Sequence, residues 1–458
     1  MSVKKIVYIV HCVDAEGPLY ESLSAKFERI KEIFNVNIEP TSKNLEKLKL
    51  KKIPLNGKEE KIASVLSNHL TNYNSDWGKV GKMVKKIFNK KFRFKDVDSF
   101  GKPWTFNWHC LDHVGYKINP RKRDLGYHKI SDYYSKVLKK YPFYDDKLHW
   151  HFHPMSTYKE AHRCATSYVN SPELYKILCK KIIEKNYFPS VYRAGFQAER
   201  PDSNLFLEQW IPFDITNMST SNNKDLDLSL DSKLGRSGNW RKAPKNWSIY
   251  HPNHDNYQAK GNCRRWIGRA LNVRGRIASI NQKEMDKAFI QAEKTGFALV
   301  GLASHDFRDL ETEVNYLRQM IKNSSKKFKN VKYKYSEAKT AFVRLVKKIE
   351  NPKIKPIKFS VKFYKKTNKD FSRLVVKVVQ GRVFGPQPFF SIKNKSGEYF
   401  YDNLDFQESF REWTYTFDET NFPLDSLDKI GVACCDSFGN VSVSVLDVIS
   451  GEISERYL

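Results

Sequence analysis

Phe297-Ala298-Leu299-Val300-Gly301-Leu302-Ala303, followed by Ser304-His305-Asp306, is an unbroken apolar run that stops abruptly in polar side chains. Apolar residues without alternation, over so short a length, read as a strand buried on both faces, the condition of a parallel sheet. Residues 281–296, just before it, repeat apolar positions at helical spacing and end at Gly296, a helix stop. The same order recurs upstream. Residues 172–187 predict a helix with Ser171 as cap and Pro172 in its first turn, followed by a strand within Pro189 to Phe196. A helix over Pro201 to Gln209 then leads to Ile211 to Asn217. Near the N-terminus an apolar strand over residues 5–13 runs into Asp14-Ala15-Glu16-Gly17-Pro18. Strand and helix alternate, with polar groups at the strands' C-terminal ends, so the expected class is α/β, a barrel or an open parallel sheet.

The surroundings differ in character. From about 42 to 100 the chain is lysine-rich and irregular, an expected insertion after the first strand. Within it, residues 79–95 hold eight basic and no acidic side chains, with Val80, Met83, Val84, Ile87 and Phe88 at helical spacing. That pattern suits a basic amphipathic helix on an anionic surface, or a helix packed on its own domain. Trp104 to His113 follows, where Asp112 and His113 are candidate ligands or loop residues. Near residue 350 the pattern changes again. Residues 346–357 read as a linker, and 358–458 as an all-β sandwich, on alternating runs such as Val441-Ser442-Val443-Ser444-Val445 and turns at Asn394 to Gly397 and Ser437 to Asn440.

The formal charge of +29 favours polyanionic partners: an acidic glycan, an anionic lipid surface or nucleic acid. No nucleic-acid-binding signature accompanies it, so that class ranks last. No apolar segment approaches the roughly 20 residues of a membrane span, and the N-terminal run is too short for a signal peptide. Seven scattered cysteines suggest reduced, structural thiols. The expected location is the cytoplasm, including the inner face of the membrane.

Three histidines stand at alternate positions in His149-Trp150-His151-Phe152-His153-Pro154. On a strand all three project from one face, and imidazole is a ligand for catalytic metals. Four short motifs now stand in order, each after an expected strand: Asp14-Ala15-Glu16, the histidine run, Tyr192-Arg193-Ala194-Gly195-Phe196, and Leu302-Ala303-Ser304-His305. Over residues 1–345 this order resembles the polysaccharide deacetylase superfamily (NodB-like, carbohydrate esterase family 4), in a variant branch with a spaced Asp-x-Glu pair.

The resemblance implies a distorted (β/α) barrel and a metal-dependent hydrolase that removes an N-acetyl group from a sugar in cell-surface polysaccharide or lipopolysaccharide synthesis. By it, Asp14 is the base, His305 the acid and Arg193 the partner that keeps Asp14 ionised. Glu16, His149 and His153 hold a divalent metal, zinc by preference, with His151 as the alternative ligand. The substrate partner is a carbohydrate, anionic or lipid-linked forms included, and peripheral membrane association is compatible with the charge. The chain also departs from the family pattern: Ala15 separates the acidic pair, and Ala194-Gly195 stands where a proline is usual. Those departures leave a second class open, a catalytically inactive glycan-binding or scaffold protein. Trp240, Trp247 and Trp266 are candidates for the family's site-lining tryptophan, each with a structural reading beside it.

Overall fold

A computed structural model describes residues 5–164, 167–169, 171–221, 237–352, 355–365 and 371–458. Seven parallel strands close a barrel: β1 (Ile6–Ala15), β2 (Phe106–Leu111), β3 (Lys147–Phe152), β4 (Val191–Ala194), β5 (Phe213–Asn217), β6 (Trp266–Asn272) and β7 (Phe297–His305). The ring shuts because β1 pairs with β7 along nearly its whole length and with β2 over His11–Ala15. An eighth strand, β8 (Lys332–Tyr335), takes the N-terminal stretch of β1 that β2 leaves free, at Ile6–Ile9. β1 is thus buried on both faces and both edges, which suits its apolar composition.

Two apolar layers hold the barrel. Outside it, Val7, Ile9 and Val13 meet Met285 and Phe289 of the helix Gln282–Thr295 and Val314 and Leu317 of the helix Leu310–Lys327. Inside the lower half, Tyr8, Val10, Cys12, Phe213 and Leu299 meet Ala338, Ala341 and Phe342 of the helix Ala338–Ile349. That helix closes the N-terminal end, with Phe342 stacked on Phe213 at 4.8 Å. The C-terminal end is left to polar side chains.

Most boundaries follow the local chemistry. Asn281 caps the helix Gln282–Thr295 by accepting from Glu284 N, and Gly296 ends it in the left-handed conformation at φ 88°. The helix after β3 runs Glu173–Lys185; Pro172 occupies the cap, and the Ser171 hydroxyl, expected to cap, has no hydrogen-bond partner. The lysine-rich stretch is more ordered than its composition suggests. It holds the helices Ser42–Lys49, Glu59–Val65 and Trp77–Ile87, with shorter turns between and after them. Val80, Met83, Val84, Ile87 and Phe88 sink into the main core, so the apolar face of the basic helix is covered by its own domain. Arg93 fastens this insertion: buried, it donates to Asp146 at 2.9 and 2.6 Å and to the carbonyls of Ile87 and Trp104.

The C-terminal region has a four-stranded antiparallel sheet, ordered β13 (Asp405–Glu408), β14 (Glu412–Phe417), β10 (Ser372–Gln380), β9 (Lys358–Tyr364), and a five-stranded one. The second is ordered β12 (Tyr399–Asp402), β11 (Phe389–Asn394), β15 (Leu427–Cys435), β16 (Val441–Asp447), β17 (Ile453–Tyr457). One face of the five-stranded sheet packs on the four-stranded sheet through Phe390, Ile430, Val432, Trp413 and Leu374. Its other face, with Ala433, Val441, Val443 and Val445, packs on Ile182, Ile183 and Trp210 of the barrel's helices. β16, expected to alternate between core and solvent, is therefore buried at Val441 through Leu446, serines included. The helix Ala338–Ile349 takes in the start of the expected linker, whose Lys353 and Ile354 lie outside the described residues. All seven cysteines are buried and none is in a disulfide. Among the described residues no helix is long and apolar enough to cross a membrane.

Candidate metal centre

β1 delivers Asp14 near its C-terminal end and Glu16 just beyond, two positions apart and so on one side. The chain then turns at Gly17, whose φ of 69° favours glycine, and a Cβ there would press on Trp77 at 3.2 Å. Asp306, at the end of β7, locks the turn: its carboxylate accepts from the backbone N–H of Glu16 and of Gly17, each at 3.0 Å, and from the Tyr134 hydroxyl at 2.8 Å. Neighbouring strands bring the partners into register, with His305 opposite Asp14 and Arg193 opposite His151.

Glu16, His151 and His153 converge. His153 Nε2 lies 3.1 Å from His151 Nε2 and 3.3 Å from Glu16 Oε1, and His151 Nε2 lies 3.7 Å from the same oxygen. All three residues are buried. His151 Nδ1 donates to the Arg193 carbonyl at 2.8 Å, and a carbonyl can only accept, so the electron pair of Nε2 points into the triangle. Two imidazole nitrogens and a carboxylate oxygen gathered in one buried space are a donor set that a cation would satisfy. Ligands about 2.05 Å from a tetrahedral ion stand about 3.3 Å apart, so the three observed edges fit one such ion with a position left open. Glu16 Oε2 is engaged outside the triangle by Arg123 Nη2 at 2.7 Å.

His149 does not join this group. It lies a layer lower in the barrel, where its Nε2 sits 3.2 Å from Asn107 Oδ1 and 3.4 Å from Glu337 Oε1, at the start of the closing helix. The pairing that the structure brings together is His151 with His153, not His149 with His153. A spacing of four residues along an extended strand spans about 13 Å, too far for two ligands of one ion.

Asp14 and His305 border the triangle. Arg193 Nε donates to Asp14 Oδ1 at 2.7 Å, and its Nη1 donates to the Ile215 carbonyl at 2.8 Å. His305 Nε2 lies 3.8 Å from Asp14 Oδ2 and 3.7 Å from Glu16 Oε1. With a side chain 20% exposed, His305 is where the group meets solvent. Burial pushes the Asp14 carboxyl up, but Arg193, His151 and His305 outweigh it and leave it below its ordinary value. Burial opposes ionisation of Glu16 too, and Arg123 and His153 hold it well below the usual range. Burial lowers the pKa of His153 against the pull of Glu16, favouring the neutral form that binds metal, and brings His305 down to about 3 against the pull of Glu16 and Asp14.

Other candidates have structural partners. Asp112 accepts from His128 N and pairs with Lys181 at 2.7 Å; the His113 ring stands edge-on to His153 at 6.2 Å, outside the triangle. Trp240 and Trp247 donate to the carbonyls of Gln197 and Glu284, and Trp266 lies against His251 at the start of β6. A second grouping, Glu208, His254 and Cys263, lies outside the barrel mouth, with Glu208 already paired to His254 Nδ1 at 2.7 Å. Sequence reasoning missed Arg123 and Asp306, whose roles come from contacts across the fold, and Gly195. A Cβ on Gly195 would overlap the His153 ring, so this glycine leaves room for that imidazole. Next to it Phe196 adopts a left-handed φ of 54° and sets its ring 4.9 Å from that of His153.

Compared with family models and with curated proteins, the sequence matches none.

Proposed function

We propose that this protein is a divalent-metal-dependent hydrolase that removes an N-acyl group, acetyl in the first instance, from an amino sugar destined for cell-surface polysaccharide or lipopolysaccharide, on a barrel of the polysaccharide deacetylase type. The observation that carries the reading is the meeting of the Glu16–His151–His153 triangle with an arginine-clamped aspartate and a partly exposed histidine at one end of the barrel. Two imidazoles and a carboxylate suit zinc. When bound, such an ion supplies Lewis acidity, polarising an acyl carbonyl and making water more acidic.

The remaining work falls to the chain. Asp14 turns Oδ1 to Arg193 and Oδ2 toward His305, so one oxygen is held and the other is open to a proton. Arg193 keeps that carboxylate ionised, fit to accept the proton of the attacking water. His305 is neutral at rest, so the proton it delivers must be gained during turnover. Asp14 Oδ2, 3.8 Å away, is positioned to pass it on. The imidazole then protonates the nitrogen as the C–N bond breaks, leaving a free amine and a carboxylic acid.

The test pairs metal analysis of the purified full chain with acetate release from a panel of N-acetylated sugars and sugar phosphates. Asp14→Asn should retain the metal and lose about 100- to 10,000-fold in turnover, the usual worth of a positioned base. A chain that binds no divalent metal and releases no acyl group across the panel would sink the proposal.

A further inference from the structure

Beside the triangle the barrel mouth holds more guanidinium groups than carboxylates to meet them. Arg123 gives Nη2 to Glu16, while its Nε and Nη1 are buried without a hydrogen-bond partner among the described residues. Arg308, 8% exposed just after β7, leaves Nε in the same condition. Arg276 donates through Nη2 to the Leu70 carbonyl at 2.9 Å and the Tyr73 hydroxyl at 3.3 Å, and its Nε too is buried and unpartnered. These groups share one neighbourhood. The guanidinium carbons of Arg123 and Arg308 stand 5.0 and 5.8 Å from the Phe307 ring centre, and the Tyr73 ring packs on Phe307 at 5.6 Å. Phe307 in turn lies 4.7 Å from His305. Arg29 and Arg121 extend the group, both facing Glu21. Five guanidiniums therefore face four carboxylates, Glu16, Glu21, Glu32 and Glu313, and burial raises the pKa of Glu313, beside Arg308, to about 7.

Burying an arginine donor without an acceptor is costly, and four such nitrogens on three neighbouring side chains call for a common acceptor. Tyr73 reports the resulting potential. Burial raises a phenol's pKa, and it raises every other described tyrosine whose value moves. In Tyr73 alone Arg276, with Arg29 and Arg308, outweighs burial and brings the value down. A carboxylate would satisfy part of this set. A phosphate dianion matches it better in charge and in the number of oxygens that face forked donors. The nitrogens are largely enclosed, unlike the open lysine faces that follow a nucleic-acid backbone, so one small anionic group is the fitting occupant.

We infer that Arg123, Arg276 and Arg308 form a phosphate-binding subsite next to the Glu16–His151–His153 triangle, and that it takes a phosphoryl group carried by the substrate. The first half stands on the arginines alone; the second rests on the hydrolase reading above.

The test is calorimetric titration of the full chain with inorganic phosphate, with acetate as the carboxylate control. Saturable phosphate binding is expected, with acetate weaker, and it should survive chelation of metal with EDTA. Arg276→Gln and Arg308→Gln should each weaken it about tenfold or more, the loss of one charge-assisted hydrogen bond. The EDTA and acetate arms use the unaltered chain, so they remain decisive even where a variant folds poorly. No saturable binding, loss of binding with EDTA, or unchanged affinity in both folded variants overturns the subsite. Displacement of phosphate by N-acetylglucosamine 1-phosphate supports the substrate role, whereas displacement only by phosphatidic acid vesicles overturns it. Phosphate binding with no acyl release from any sugar phosphate leaves the subsite standing and removes the hydrolase reading.

Discussion

Replacing Gly195 by alanine should dismantle the metal centre while sparing the barrel. The backbone at Gly195 lies outside the left-handed region, so alanine meets no conformational penalty there and acts through its methyl group alone. That methyl would overlap His153 Cδ2 and come within 2.6 Å of Cγ and 2.7 Å of Nε2. Carbon atoms in contact settle at about 3.5–4.0 Å, so the ring must retreat by about 1.5–2 Å at Cδ2. Metal–ligand distances tolerate only about 0.2 Å. Retreat is obstructed by Phe196, edge-on at 4.9 Å, and on another side by His113. The ring must therefore turn, which takes Nε2 out of the triangle. Alterations that merely reorient a ligand cost about 10- to 100-fold in affinity, and withdrawing one of three ligands should cost at least the upper figure. Competition for zinc against a chromophoric chelator measures this directly, and circular dichroism confirms that the barrel persists. A folded Gly195→Ala protein that holds zinc as tightly as the parent would refute both the geometry of His153 and its place as a ligand.

The two other histidines of the run should behave oppositely: His151→Ala loses the metal, whereas His149→Ala keeps its stoichiometry, both read by elemental analysis after dialysis. Asp146→Asn leaves the Arg93 charge buried without its counter-ion, a loss of about 3–5 kcal/mol, visible as a lower denaturation midpoint. Glu313 should make stability fall with rising pH. Burial raises its pKa to about 7 from 4.5, against Arg308, Ser304 and Arg274 and with slight help from Asp309. The folded state then binds more protons than the unfolded one between those values, so stability drops across that interval by about 3 kcal/mol and levels off above it. Denaturant titrations at pH 4.5 and 7.5 should show less of that drop in Glu313→Gln, and equal slopes in parent and variant would contradict the assignment.

What could be read from the residues was whatever local patterning controls. The apolar run of β7, the helix stopped by Gly296 and the polar strand ends are each settled within a few residues, and together they imply a parallel α/β barrel or open sheet with polar groups at the strands' C-terminal ends. Asp14, Glu16, Arg193 and His305 were visible for the same reason, since each ends or follows a strand. Arg123 and Asp306 were not. Arg123 sits beside Arg121 and Lys122 in a loop, and only the closed barrel sets it against Glu16. Asp306 resembles the neighbouring Asp309, yet Asp309 caps a helix while Asp306 clamps the turn after β1, nearly three hundred residues away in the chain. β16 misled for a related reason: its alternation encodes a sheet with one face in solvent, and the barrel's helices cover that face.

The choice among the histidines shows how strand geometry constrains a metal site. A pattern of two histidines four apart suits a helix, where such positions lie one turn apart on one face. On a strand the same interval is about 13 Å, and only positions two apart can tilt toward a common point. His151 and His153 do so because β3 ends at Phe152, letting His153 leave the sheet plane and fold back over Gly195. His149, held within the sheet, is left to Asn107 and Glu337, where it ties β3 to the helix that closes the barrel. One alternating run thus serves two purposes. Its upper pair belongs to the candidate metal centre, and its first member joins the strand to the plug beneath, so a substitution at His149 should register in stability where one at His151 registers in metal content.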